Sequence, residues 1–303
     1  MRLLILFNPA AGRGQARAAA EAVRDALVHR GHHVALRETK RAEAGSSGID
    51  DDGDGPPPDG LIIVGGDGTM RLAAPLAMRL GVPVALFPFG TENLFARQHG
   101  MERDVETIVS LVTGGRSRAV DVGVVNGEVF LMMVSIGLDA SVVHDLAARR
   151  RGPISHASYV MPIARAMLNW RAPRLRVRVD GADLDPPGPG MLVVANTRQY
   201  AGRLDPASTA LDDDGLLDVV LFSVRNRWEL LRRVTQCWRR RLLNSRGVMH
   251  GRGRSIRVEA QSPQVFQVDG DPPAVVGGRP PTTPLEISVL PGALRVFRPP
   301  DGV

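Results

Sequence analysis

The stretch LIIVGGDGTM, residues 61–70, limits what this chain can fold into more than any other: four apolar residues run straight into Gly65, Gly66, Asp67, Gly68 and Thr69. A short apolar run ending at glycines reads as a buried strand, and MRLAAPLAMRL behind it reads as a helix that Pro75 interrupts. A turn with no Cβ at three positions is free to adopt positive φ and let a phosphate touch the main chain. The next helix adds N–H groups and the positive end of its dipole. No Gly-Lys-Ser or Gly-Lys-Thr occurs, so this is not a Walker loop, and the third glycine of a dinucleotide fingerprint is missing. The alternative is a tight strand-to-helix turn with Asp67 as a helix cap.

The flanking sequence has the same alternating texture. RLLILFN is a strand, QARAAAEAVRDALVHR a helix stopped at Gly31, and HHVALRETK a second strand. After LIIV come the strand VPVALFPFG and the helix DVETIVSLVTGG. Strands separated by helices imply an α/β domain with a mainly parallel sheet, whose ligands bind beyond the carboxyl ends of the strands. Three turns, NPAAGRG, GGDGT and FGTEN, each follow a strand and are expected on one edge. From about residue 120 the chain becomes β-rich, with a hairpin signal at Asn126–Gly127 and short runs such as RLRVRVDGADL, GMLVVANT, LLDVVLFSV and RSIRVEA. This predicts a nucleotide-binding domain over 1–120 and a mostly β sandwich over 121–303, whose last strand is able to return to the first. Helices are expected near 157–169 and 227–243, and a polar mobile loop over 45–60.

With 303 residues the chain is long enough for two cores, and its single cysteine, Cys237, excludes an internal disulfide framework. No segment reads as a signal peptide or membrane span, so we expect a cytoplasmic protein, able to sit peripherally on the inner face of a membrane. The formal charge is +6, carried almost entirely by arginine because Lys40 is the only lysine. Eleven arginines fall between Arg225 and Arg257 against one acid, Glu229, interleaved with Trp228, Leu231 and Trp238. That pattern suits contact with an anionic membrane, or else a solvated helix face whose apolar side packs on the sandwich. Nucleic acid is a weaker partner, since aromatics are 4% of the chain and no recognition motif occurs.

NPAAGRG, VGGDGTM, PFGTENLFAR, LDDDGLLDVV and VDGD follow one another in the order and approximate spacing of the diacylglycerol kinase catalytic-domain superfamily, which includes bacterial lipid kinases and sphingosine kinases. The resemblance covers nearly the whole chain. It implies a two-domain kinase that uses ATP and Mg²⁺ to phosphorylate a lipid hydroxyl, with diacylglycerol or a related glycerolipid as first acceptor and a sphingoid base as second. A soluble-metabolite kinase of the NAD kinase type, or a degenerate nucleotide- or lipid-binding module, is the alternative.

By the same resemblance, Asn8, Gly65, Gly66, Asp67, Gly68, Thr69 and Thr91 line the nucleotide site, with Thr39 a looser match. Asp269 corresponds to the acidic position proposed as general base, and Asp67 competes for the role of base or Mg²⁺ contact. Leu211 and Leu216, through their carbonyls, and Asp214, through its carboxylate, correspond to a structural Mg²⁺ loop. The chain departs from its relatives at Glu92, where a small residue is common, and at Asp271, where Glu is usual. From the residues alone, Asp269 and Gly270 also read as a hairpin turn. DDDGDG, residues 50–55, fits half a calcium loop, but its twelfth position is Leu61. His29, His32 and His33 flank a helix stop and read as C-terminal cations rather than metal ligands, and Cys237 reads as packing.

Overall fold

The computed structural model describes residues 1–39, 56–149, 161, 171–184, 188–198, 200, 204–275 and 278–299. The chain divides into two compact units, Met1–Val120 with Gly292–Val303, and Asp121–Pro291. The helix expected near 157–169, apart from Met161, lies outside the described residues, as do residues 45–55 of the expected loop and the DDDGDG segment.

In the first unit β1 (Arg2–Phe7), α1 (Ala16–His29), β2 (His33–Glu38), β3 (Gly60–Gly65), α2 (Asp67–Leu80), β4 (Val84–Pro88), α3 (Leu94–Gln98) and α4 (Val105–Thr113) follow in order. The strands pair in parallel as β2-β1-β3-β4, and Val296 adds a further parallel contact on Val84. β3 and β4 are buried along their whole lengths. This is why they read as unbroken apolar runs rather than alternating ones. α1 buries Ala16, Ala20, Val23 and Leu27, one stripe at helical spacing. Asp104 caps α4 by accepting the Thr107 N–H at 2.8 Å.

One expectation needs correction: Pro75 does not interrupt the second helix, because α2 runs continuously from Asp67 to Leu80. A proline inside a helix removes one main-chain hydrogen bond, a cost of about 3 kcal/mol. Here Met70, Ala73, Ala74, Leu76 and Ala77 are buried on both sides of it, and that packing outweighs the missing bond.

His99, at the end of α3, packs its ring 4.3 Å from Phe95 and meets Arg118 at 3.3 Å. Burial, reinforced by the Arg118 charge, pulls its imidazole from 6.5 down to about 3. The unfolded chain therefore takes up a proton near pH 6.5 that the folded chain refuses until about 3. The stability linked to His99 is complete above pH 6.5 and falls as the pH drops from there towards 3. His99→Gln is expected to flatten the urea midpoint over that window, and an unchanged pH dependence would assign the acid limb to other groups.

The second unit carries two sheets. β5 (Ser117–Val125), which crosses the unit boundary in sequence, forms a hairpin with β6 (Glu128–Phe130). Its turn residues Asn126 and Gly127 have φ of 48° and 86°, the left-handed pair that the Asn-Gly signal predicted. The chain continues through β7 (Met133–Ile136), α5 (Leu138–Ala148), β8 (Leu175–Val179), β9 (Ala182–Leu184), β10 (Gly190–Ala195), β11 (Leu217–Ser223), α6 (Arg227–Trp238), β12 (Val248–Gly253), β13 (Ser255–Ala260), β14 (Gln267–Val268) and β15 (Leu285–Phe297). One sheet is antiparallel in the order β12-β11-β10-β7-β14. In the other, β13 lies between β8 and the start of β15, antiparallel to both. Leu175 and Val177 of β8, Ile256 and Val258 of β13, and Leu192, Val194 and Val219 of the facing sheet share one core. Arg176, Arg178, Arg257 and Glu259 alternate outward, so the period of two in RLRVRV and SIRVEA marks one buried face of a sandwich.

Candidate functional site

In the first unit the three strand-end turns meet. β1, β3 and β4 are neighbours in register, with Phe7 opposite Val64 and Gly65 opposite Pro88, so the segments after them emerge together. The Asn8 N–H donates to the Val64 carbonyl at 3.1 Å, and the Asn8 side-chain amide donates to the Thr69 hydroxyl at 3.3 Å. Thr39 closes the neighbouring strand end, its N–H 2.9 Å from the Phe7 carbonyl. Thr91 lies exposed in the turn after β4, and half-buried Glu92 follows it.

The glycines of this turn do not supply the positive φ that was expected of them. Gly66 has φ −105°, and neither Gly65 nor Gly68 is among the residues with positive φ. What requires Gly66 and Gly90 is proximity: a Cβ on Gly66 would stand 2.9 Å from the Gly90 Cα, and one on Gly90 would stand 2.7 Å from the Gly66 Cα. Two turns are in main-chain contact, which only a pair of glycines allows.

Asp67 heads α2, but its carboxylate is turned to the neighbouring turn, where it accepts the N–H groups of Leu94 at 3.0 Å and Phe95 at 2.9 Å. Asn93, in the left-handed region at φ 49°, accepts from the Gly90 N–H at 2.7 Å and donates to the Gly90 carbonyl at 2.9 Å. Asp67 and Asn93 together hold the PFGTEN turn. Asn93 was not among the expected site residues, although an Asn three residues after Gly90 in a turn was signal enough. Nor were Arg103, whose guanidinium stacks 3.8 Å above the Phe89 ring, and Arg17, which lies 4.9 Å from the Phe7 ring and pairs with Glu38. Both bring positive charge to residues at the strand ends.

In the second unit Asp269 and Gly270, with φ of 51° and 86°, form a tight turn closed by Val268 and Asp271, each N–H on the other's carbonyl at 2.9 and 3.0 Å. The Asp269 carboxylate accepts three main-chain N–H groups, from Leu131 at 2.8 Å, Met132 at 2.9 Å and Met133 at 2.8 Å. It anchors the segment between β6 and β7. Gly270 donates its N–H to Gln267 at 2.6 Å, and the Gln267 amide donates to buried Ser135 at 2.8 Å.

The acidic loop before β11 places the expected cation ligands Leu211, Asp214 and Leu216, but the Asp214 carboxylate is already occupied. One oxygen accepts the Leu216 N–H at 3.0 Å, and the other takes the guanidinium of Arg252. As built, the loop does not suit a cation at Asp214, since two positive groups would crowd one carboxylate.

Two family models divide the chain: a diacylglycerol kinase catalytic domain over residues 2–125, and a YegS C-terminal NAD kinase beta sandwich-like domain over residues 132–298. The chain belongs to the diacylglycerol kinase/YegS family. A diacylglycerol kinase from Mycobacterium tuberculosis is 28% identical over 315 aligned positions, covering 99% of this chain and 96% of its own. One from Bacillus subtilis is 26% identical over 221 positions, 70% of each chain. A crystal structure described as a diacylglycerol kinase from Bacillus anthracis shares the fold, with TM-score 0.66 and 20% identity over 100% of this chain and 98% of that one.

Proposed function

We propose that this kinase transfers the γ-phosphate of ATP to a hydroxyl of a membrane lipid, with diacylglycerol as its first acceptor. The observation that carries the reading is the convergence of Asn8, Gly65–Thr69 and the Gly90–Asn93 turn at the ends of adjacent parallel strands, headed by the N-terminus of α2. The first turn of a helix has N–H groups without intrahelical partners, and here they accompany a turn stripped of side chains. Arg17 and Arg103 add cations suited to phosphate oxygens. Mg²⁺ brought with the nucleotide would neutralise charge on the transferring group.

For the acceptor hydroxyl we assign the proton acceptor to Asp271 and make Asp269 its positioning residue. A carboxylate that already accepts three amide N–H groups has its lone pairs and rotamer committed to the main chain. Asp271 is the next acid along the same turn, which its main-chain atoms close against Val268. Transfer of radiolabelled γ-phosphate from ATP to micellar diacylglycerol, monoacylglycerol, sphingoid base and NAD tests the activity. Label in one lipid product supports the reading, and label on NAD alone overturns it.

The membrane side of this function falls to α6. Leu230, Arg233 and Cys237 point inward and are buried, while Trp228 is 71% exposed and Trp238 66% exposed. The helix is inverted: an arginine lies inside, 2% exposed, donating to the carbonyls of Ser223 at 3.1 Å and Arg246 at 3.0 Å, with indoles outside. The only acid in α6, Glu229, is turned back onto the Arg225 N–H at 2.9 Å. Exposed indoles and Leu231 among Arg227, Arg232 and Arg239 match an anionic bilayer, whereas a second copy of the same face would meet like charge. No helix among the described residues is long and apolar enough to cross a membrane. Replacing Trp228 and Trp238 together by Ala is expected to weaken sedimentation with phosphatidylglycerol vesicles by at least about tenfold without lowering Tm. Undiminished binding would remove α6 from the interface.

A further inference from the structure

The loop 211–216 carries an inference that does not depend on which lipid is phosphorylated. The family resemblance implies a divalent cation held there by Asp214 and two carbonyls, and the structure puts an arginine on that carboxylate. We propose that the guanidinium of Arg252 holds this acidic loop in the place of a structural divalent cation.

The register of two strands places it. β11 and β12 pair antiparallel with Asp218 directly opposite Arg252, so the arginine rises from the strand next to the one that ends the loop. Its Nε donates to Asp218 at 3.1 Å, and its Nη2 pairs with Asp214. One planar fork thus bridges two carboxylates, a geometry that arginine provides and a lysine ammonium does not. Asp218 is fully buried and would be left as an uncompensated charge without partners. His250, two residues from Arg252 on β12, meets its other oxygen at 2.8 Å, and the Thr209 hydroxyl donates to it at 2.5 Å. Although burial opposes ionisation, hydrogen bonds from His250 and Thr209 and the charge of Arg252 outweigh it and hold the Asp218 carboxyl below its ordinary value. The Arg252 guanidinium is correspondingly held above its own, despite partial burial.

The rest of the loop is closed by protein groups. The Gly215 N–H donates to the Asp121 carboxylate at 2.6 Å, the Asp121 N–H donates to the Asp212 carbonyl at 2.7 Å, and the Leu216 N–H donates to Asp214. A hard cation draws oxygen ligands to itself and repels a guanidinium sharing the same carboxylate, so cation and Arg252 are alternatives at Asp214. Because arginine stays charged at all working pH values, this closure responds neither to chelators nor to cation supply.

The test uses the full chain without nucleotide, so that Mg²⁺ bound with ATP does not enter. Elemental analysis of wild type, purified without chelator, is expected to find substoichiometric divalent metal, and Tm is expected to be the same in EDTA as in excess Mg²⁺ or Ca²⁺. Arg252→Ala is expected to lower Tm by about 5–10 °C, with Arg252→Lys falling between. Should Arg252→Ala fail to fold, the Tm of Arg252→Lys and the wild-type metal content decide the matter. A stoichiometric divalent ion whose removal by EDTA lowers the wild-type Tm would overturn the proposal. So would an Arg252→Ala or Arg252→Lys protein that melts with wild type. None of these readouts depends on lipid phosphorylation, so failure here leaves the kinase reading standing.

Discussion

Asp271→Asn is expected to lower lipid phosphorylation by about 10²–10⁴-fold while leaving ATP affinity and Tm near wild type, whereas Asp269→Asn is expected to lose stability first. The contrast follows from where the two carboxylates sit in one turn. Asp269 receives Met132 and Met133 on one oxygen and Leu131 on the other. Asparagine presents a carbonyl to one side only and turns an NH₂ towards an N–H on the other. Losing a charge-assisted bond and leaving an amide unpaired costs about 2–4 kcal/mol. The backbone itself is not perturbed, because Asn tolerates the left-handed conformation that Asp269 adopts at φ 51°. Tm, calorimetric ATP binding and label transfer to diacylglycerol, measured on both variants, separate the roles. An Asp269→Asn protein as stable as wild type but without turnover would return the proton-acceptor role to Asp269.

Gly66→Ala is the second large effect. Its methyl would stand 2.9 Å from the Gly90 Cα, and the obstacle is main chain rather than a side chain that can turn aside. Relief requires the turns after β3 and β4 to separate, and Asp67 and Asn93 hold one of them through four hydrogen bonds at 2.7–3.0 Å. Overpacking of this kind costs about 1–3 kcal/mol. Because the displaced atoms are the proposed phosphate cradle, ATP affinity is expected to fall by about tenfold or more. Calorimetric titration with ATP alongside thermal melting checks both parts. Wild-type affinity in a folded Gly66→Ala protein would place the phosphates elsewhere.

The order and type of most elements were legible in the chain because burial leaves a period. Unbroken apolar runs in β3 and β4 mark strands covered on both faces, alternation in β8 and β13 marks a sandwich face, and Asn126–Gly127 dictates a left-handed turn. The three strand-end motifs were legible for the same reason, since a parallel sheet brings the ends of its strands to one edge. What the motifs do was not legible. A glycine reads the same whether it supplies positive φ or a close approach, and only the pairing of β3 with β4 puts Gly66 against Gly90. Asp67, Asp214 and Asp269 read alike as acids in turns. Whether such a carboxylate meets a substrate, a cation, a guanidinium or a row of amides depends on residues 27 to 138 positions away, from Leu94 for Asp67 to Leu131 for Asp269. The helix that exposes Trp228 and buries Arg233 also defeats a reading by hydropathy, because the carbonyls of Ser223 and Arg246 reach Arg233 only in the folded chain. Local sequence sets backbone conformation through short-range sterics and periodic burial, and tertiary structure decides the partner of each charge, because a charge interacts with whatever the fold brings within a few ångströms of it.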